Sequence, residues 1–280
     1  MKNLDLLTTK ELVNLFLNKE QKTINALKKQ NTNITKAINK IIIKLKNKNS
    51  RVIYIGAGTS GRLGILDASE CKPTFNTDKF KAIIAGGKNS LFLAKEGAED
   101  NKKAAIQDLK KIKVTKNDIA VGISASGETP YTISAIQYAK KSKALTIAIT
   151  SNPKSTLSKI TNVSISPEIK EEIISGSSRL SSGTAQKILL NMISSITMIK
   201  NSKVHGNLMI DVAPANKKLI KRSIEIIADI CNISFNKAKL LFYKAKKNTK
   251  AAIVIYFKKC NLKQAIKMLR AADYNLRKII

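Results

Sequence analysis

Residues 52–75 read VIYIGAGTSGRLGILDASECKPTF, and the fold is decided there. A short apolar, partly β-branched run, Val52–Ile55, enters the glycine-rich turn Gly56-Ala57-Gly58-Thr59-Ser60-Gly61. A helix-compatible segment, Arg62–Ser69, follows and ends at Glu70 beside a proline turn, Glu70-Cys71-Lys72-Pro73. Strand, glycine turn and helix start form a device for holding an anion. Glycines let the backbone come close, first-turn N–H groups lack helical partners, and the helix dipole favours negative charge.

Further strand-like runs follow at Ala82–Ala85, Ile119–Ile123, Leu145–Ile149 and Val163–Ile165. Helix-compatible segments near 62–69, 90–111, 131–141 and 153–160 separate them. Strands alternating with helices imply an α/β fold with a parallel sheet covered on both faces, whose ligands sit at the carboxyl ends of the strands. Residues 5–48 carry helical spacing, as in Leu12, Val13, Phe16 and Leu17, with Thr9 as a candidate cap for the first helix. Residues 179–200 predict a long amphipathic helix, and 217–280 a run of short ones, two of them starting after Ser234 and Asn261. The expected organisation is an N-terminal helical segment (1–45), a phosphate-binding α/β domain (46–215) and a small all-helical C-terminal domain (216–280).

With 280 residues the chain can bury a large core. It has no apolar run long enough for a membrane span and no secretory h-region, so neither a membrane nor export is expected. Three scattered cysteines, Cys71, Cys231 and Cys260, and a single histidine, His205, argue against a zinc cluster and fit a reducing cytoplasm. The formal charge of +32 raises nucleic-acid binding. Yet there are 45 lysines against six arginines, scattered and not interleaved with aromatics. They read as a solvated surface whose field gathers anionic small molecules, and no nucleic-acid partner is expected.

The glycine turn satisfies G-x-G-x-x-G, a weak signal alone. The dinucleotide reading also wants an acid at the end of the next strand, and Asp78 precedes that strand. No Gly-Lys-Ser/Thr follows, which excludes a Walker A loop. A second anion loop follows the third strand: Ser124-Ala125-Ser126-Gly127-Glu128-Thr129-Pro130. Three hydroxyls surround a glycine, and Pro130 suits the first turn of a helix. Such hydroxyls, with helix-start N–H groups, can cradle a phosphate monoester or serve as an ordinary cap.

The two loops together resemble the sugar isomerase (SIS) phosphosugar-binding fold. Within it, three stretches are similar to the N-acetylmuramic acid 6-phosphate etherase family. They are GAGTSGRLGILDASECKPTF (56–75), EGAED (96–100), and ISGSSRLSSGTAQKILLNM (174–192) with KVHGNLMIDV (203–212). The resemblance covers nearly the whole chain. It implies a flavodoxin-like, three-layer SIS domain with N-terminal helices and a small helical C-terminal domain. It implies a homodimer and a cofactor-free, metal-free lyase that releases D-lactate from N-acetylmuramate 6-phosphate.

By the same resemblance Glu70 and Glu99 fall on the family's catalytic positions, Glu70 as acid to the lactyl oxygen and Glu99 as base at C2. Gly58, Thr59, Ser60, Ser124, Ser126, Thr129, Ser178 and Arg179 are the expected substrate contacts. From the residues alone, Glu99 reads equally as a surface helix residue beside Lys95 or Lys103, with Glu96 as its rival. Ser177 or Ser178 could cap the long helix, and His205 reads as a packing or interface residue. A non-catalytic phosphosugar-binding regulator, like the glucokinase regulatory protein, and an SIS aldose–ketose isomerase are the alternatives. The chain departs from the family at Lys72, where a second proline is usual, and at Glu128, where arginine is common. Glu128 is expected to point away from the phosphate. The stretch ahead of Leu4-Asp5 is shorter than the family's.

Overall fold

The computed structural model describes residues 3–95 and 97–280. They form two compact units, one of residues up to Ala68 with Lys79–Ser194, the other of Ser69–Asp78 with Ser195–Ile280.

The first unit opens with helices α1 (Thr9–Lys28) and α2 (Asn31–Leu45). Thr8, not Thr9, caps α1: its hydroxyl accepts from the Glu11 N–H at 3.3 Å, and the Glu11 carboxylate accepts from the Thr8 N–H at 2.8 Å. The glutamate three residues on makes this reciprocal pair, which is why the cap falls one residue earlier. The sheet comprises β1 (Val52–Gly56), β2 (Phe80–Ile84), β3 (Ile119–Ile123), β4 (Leu145–Ile149) and β5 (Val163–Ile165). All pairings are parallel, in the order β2-β1-β3-β4-β5. That is the flavodoxin-like doubly wound order, and the switch point lies between β1 and β3. Every residue of β1 and β3 is buried, as strands covered on both faces require.

Helix α3 is longer than the sequence suggests, running Gly58–Phe75, so Glu70 and Pro73 lie on it rather than in a turn. Proline near the end of a helix removes a single ladder bond, and the helix continues for two more residues, to Phe75. It stops where Asn76 takes a left-handed φ of 49°. The expected helix over 90–111 is broken. Short 3₁₀ turns occupy Lys88–Leu91 and Ala98–Asp100, and only α4 (Lys102–Lys111) is α-helical. Left-handed Gly97 precedes the second turn, and the Asn101 side chain caps α4 by accepting from the Ala104 N–H. Helices α5 (Pro130–Lys141) and α6 (Thr156–Ile160) complete the wrapping, and α7 (Ser181–Lys200) runs from the first unit into the second.

The second unit holds a two-stranded hairpin, β6 (Val204–His205) with β7 (Leu208–Met209), which is too short to show a period in sequence. Helices α8 (Lys217–Cys231), α9 (Phe235–Lys244), α10 (Thr249–Lys258) and α11 (Leu262–Ala271) follow. They enclose Phe242, Ile253 and Leu269, all with no exposed surface. Ser234 and Asn261 cap α9 and α11 as expected. No helix among the described residues is long and apolar enough to cross a membrane.

Candidate functional site

The glycines after β1 answer first to packing. A Cβ on Gly56 would meet the Gly61 nitrogen at 2.8 Å, and one on Gly61 would meet the Gly56 carbonyl oxygen at 2.8 Å and Ile84 Cγ1 at 2.5 Å. These two glycines press the start of α3 onto the strand ends. Gly58 differs: its φ is +50° and nothing lies within 4 Å of its Cβ direction. It therefore turns the chain and faces open space. Thr59 lies against the start of α7, 3.7 Å from the Cβ direction of Gly183, and Ser60 is buried.

After β3, the predicted hydroxyls converge. Ser124 Oγ lies 2.9 Å from Thr129 Oγ1 and 3.4 Å from Ser126 Oγ. Ser124 Oγ also accepts from the Gly127 N–H at 3.0 Å, and Ser126 Oγ accepts from the Glu128 N–H at 3.1 Å. Gly127 is required, with φ +72° and a Cβ direction only 2.3 Å from Ser155 Oγ. Pro130 occupies the first turn of α5, and Thr129, its N-cap, makes no side-chain cap bond. Glu128 points out, as expected. Its carboxylate accepts from the Thr156 N–H at 2.7 Å at the start of α6. That bond, with a lesser pull from Lys159, holds the Glu128 carboxyl below its ordinary range.

Among the cavities at the carboxyl edge of the sheet, two hold residues expected at the site. The larger, about 410 Å³, is lined by Ser126, Ser151, Asn152, Glu172, Ser178 and Ser182 among others. The smaller, about 170 Å³, is lined by Gly58, Arg62, Ser90, Lys95 and Glu99 among others. The structure thus brings Ser126 and Ser178 together in one cavity, and Gly58 and Glu99 in the other. Arg179 is exposed and lines neither.

Glu99 is exposed in the 3₁₀ turn after Gly97, not on a surface helix. Its rival Glu96 lies outside the described residues. Glu70 is exposed on α3 and belongs to the second unit. Lys72 is engaged by Asp78 at 2.6 Å. Asp78 precedes β2, so the ribose-binding acid of the dinucleotide reading is missing. Among the described residues no three His, Cys, Asp or Glu side chains converge as a metal-ligand group.

Three further residues escaped sequence reasoning. Arg62 pins the loop before Glu99, donating from Nε to the Leu91 carbonyl at 3.0 Å and from a terminal nitrogen to the Leu93 carbonyl at 3.3 Å. Its place directly after the glycine turn is a signal that could have found it. Asp67 is buried on α3 and accepts from Tyr54 Oη at 3.0 Å, Asn191 Nδ2 at 2.7 Å and Ser194 Oγ at 3.0 Å. Glu172 caps α7, accepting from the Ser181 and Ser182 N–H groups, each at 2.9 Å. The cap is thus a carboxylate from the preceding loop and not Ser177 or Ser178. Its separation of nine and ten residues has no local signature.

A 2-1-3-4-5 parallel sheet with a glycine turn after β1 and a hydroxyl loop after β3 defines a doubly wound, flavodoxin-like α/β protein. The family model for the glucokinase regulatory protein N-terminal SIS domain matches residues 33–140. Among solved structures, the c3406 protein of E. coli CFT073 is similar at a TM-score of 0.52 and 18% identity, over 72% of this chain and 97% of that one. A phosphoheptose isomerase from Francisella tularensis is similar at a TM-score of 0.53 and 16% identity, over 68% and 100%. These likenesses concern the fold.

Closer relatives decide the family. The N-acetylmuramic acid 6-phosphate etherase of Francisella tularensis subsp. holarctica is 44% identical over 96% of this chain and 92% of its own length. That of Clostridium beijerinckii is 44% identical over 94% and 87%, and that of Clostridium botulinum strain Hall 49% over 81% and 75%. The chain belongs to the N-acetylmuramic acid 6-phosphate etherase family.

Proposed function

We propose that this chain is the lyase its family name describes, cleaving the D-lactyl ether of N-acetylmuramate 6-phosphate to N-acetylglucosamine 6-phosphate and D-lactate. Membership of the family across nearly the whole chain, with carboxylates at both Glu70 and Glu99, carries the reading. The hydroxyls of Ser124, Ser126 and Thr129, at the start of α5, suit a phosphate monoester. Gly58, Thr59, Ser60, Ser178 and Arg179 complete the proposed substrate contacts.

An alkyl ether resists direct hydrolysis, so the reaction runs through the open-chain aldehyde, which makes the C2 proton acidic. Glu99, ionised, removes that proton. Glu70, protonated, gives its proton to the lactyl oxygen as the C3–O bond breaks, and D-lactate leaves. Water then adds across the unsaturated aldehyde, its hydroxyl to C3 and its proton to C2. Two positioned carboxyl groups in opposite protonation states meet these needs.

The proposed setting is the cytoplasm, where cell-wall amino sugars are recycled, and the proposed assembly is a homodimer with sites near the interface. Phe92 and Leu93, 88% and 70% exposed beside the Glu99 turn, offer a second copy an apolar surface. The deciding experiment supplies N-acetylmuramate 6-phosphate to the purified protein and measures D-lactate. One lactate per sugar is expected. A phosphosugar-binding regulator or an aldose–ketose isomerase releases none.

A further inference from the structure

The substrate proposed above carries two anions, a 6-phosphate and a lactyl carboxylate. The hydroxyls of Ser124, Ser126 and Thr129 suit the phosphate, and the carboxylate needs a partner of its own. Bonding decides where that partner must stand. The carboxylate is joined to C3 through the ether oxygen and one further carbon, and C3 is the neighbour of C2. Whatever carboxylate removes the C2 proton therefore meets a second negative charge a few bonds away, and the two repel unless a cation stands beside them.

Glu99, the proposed base, lines the cavity of about 170 Å³ together with Arg62 and Lys95, which are its charged lining residues among those described. The cations outnumber the carboxylate. The remaining walls are alanines, glycines and Ser90, whose buried hydroxyl has no hydrogen-bond partner among the described residues. A space of this size suits a branch of a ligand rather than a whole phosphosugar. The two cations are not equivalent. Arg62 is committed to the Leu91 and Leu93 carbonyls. No ion pair among the described residues involves Lys95. Its side chain lies along Gly86, with Cδ 3.1 Å from the Cβ direction of that glycine. Its carbonyl accepts from the Ala98 N–H at 3.3 Å, at the head of the turn that carries Glu99. Base and cation are thus set on one short piece of backbone.

We propose that Lys95 binds the lactyl carboxylate of the substrate and selects for it. This rests on Glu99 being the base of the proposed etherase. The ammonium brings three donors and a compact charge, which offsets the repulsion between Glu99 and the incoming carboxylate. A phosphosugar without the lactyl group gains nothing from Lys95, so the residue separates the ether substrate from its own sugar product.

The test reads binding without turnover, in full-length protein carrying Glu99→Gln. By isothermal titration this protein should bind N-acetylmuramate 6-phosphate about tenfold more tightly than the same sugar with its lactyl carboxyl converted to the methyl amide. Adding Lys95→Met should bring the two ligands within about twofold, and adding Lys95→Arg should keep the preference. Binding of N-acetylglucosamine 6-phosphate should be the same in all three proteins, which a merely structural role for Lys95 would not give. No preference for the acid before Lys95 is changed, or an equal preference after Lys95→Met, overturns the proposal. D-lactate release by the wild type is scored separately. A Lys95-dependent preference in a protein that releases no lactate would refute the etherase reading and leave the contact standing. Lactate release without that preference would do the reverse.

Discussion

The carboxylate of Asp67 on α3 lies 2.7 Å from the side-chain amide nitrogen of Asn191 on α7, with Tyr54 of β1 and Ser194 donating to the same group. A strand and two helices are tied by one buried acid. Asp67→Ala removes the acceptor that three donors share, although Ser194 Oγ keeps the Asn191 carbonyl at 3.4 Å. At about 1–3 kcal/mol for each buried unsatisfied group, with partial relaxation, the loss should be about 3–5 kcal/mol. Urea denaturation should show a lower midpoint with an unchanged m-value, and a loss under about 1 kcal/mol would refute this account.

Glu70 and Glu99 should fail at different steps. Glu70→Gln keeps size and loses the transferable proton, so D-lactate release should drop by about 10²–10⁴ while solvent deuterium still enters C2. Glu99→Gln should abolish the deuterium exchange along with lactate release. Full lactate release by Glu70→Gln sinks the acid assignment, and retained exchange in Glu99→Gln sinks the base assignment.

Gly127→Ala tests the hydroxyl loop. A methyl group at φ +72° is strained and would sit 2.3 Å from Ser155 Oγ, so the loop must shift. Since Gly127 N–H is held by Ser124 Oγ, the shift disturbs the hydroxyl cluster directly. KM for the phosphosugar should rise more than about tenfold, a cost of at least about 1.4 kcal/mol in binding. An unchanged KM would place the phosphate elsewhere.

His205, on the short hairpin, gives the second unit a sensitivity to acid. Burial, and secondarily the charge of Arg277, lower its pKa from 6.5. The unfolded chain then takes up the proton first as pH falls through 6.5, so stability is full above that value and is lost as pH drops toward the folded pKa. Melting temperatures at about pH 7.5 and pH 5.5 should therefore diverge less in His205→Gln than in the wild type. Equal divergence in both would remove His205 from the acid response.

The parallel sheet was legible because each strand is a compact apolar run between helix-compatible segments, and β3, β4 and β5 keep the expected limits. Local chemistry was legible too: Ser234 and Asn261 cap where their side chains predict, and Ser124, Ser126 and Thr129 meet because one tight turn gathers them. What stayed hidden depends on distant partners. Glu172 finds Ser181 through a loop path with no period, and Arg62 meets carbonyls 29 and 31 residues away. The segment 90–111 misled because apolar spacing persists through Gly97, whose left-handed backbone breaks the helix.

The mutual contact of Gly56 and Gly61 bears on how such chains are recognised at all. Side chains at either place are barred by a strand and a helix, before any cargo arrives. A glycine pattern of this kind marks a steric bottleneck shared by unrelated pockets. Its recurrence among nucleotide and sugar binders therefore reflects common carpentry, and cargo must be inferred from the neighbouring loops.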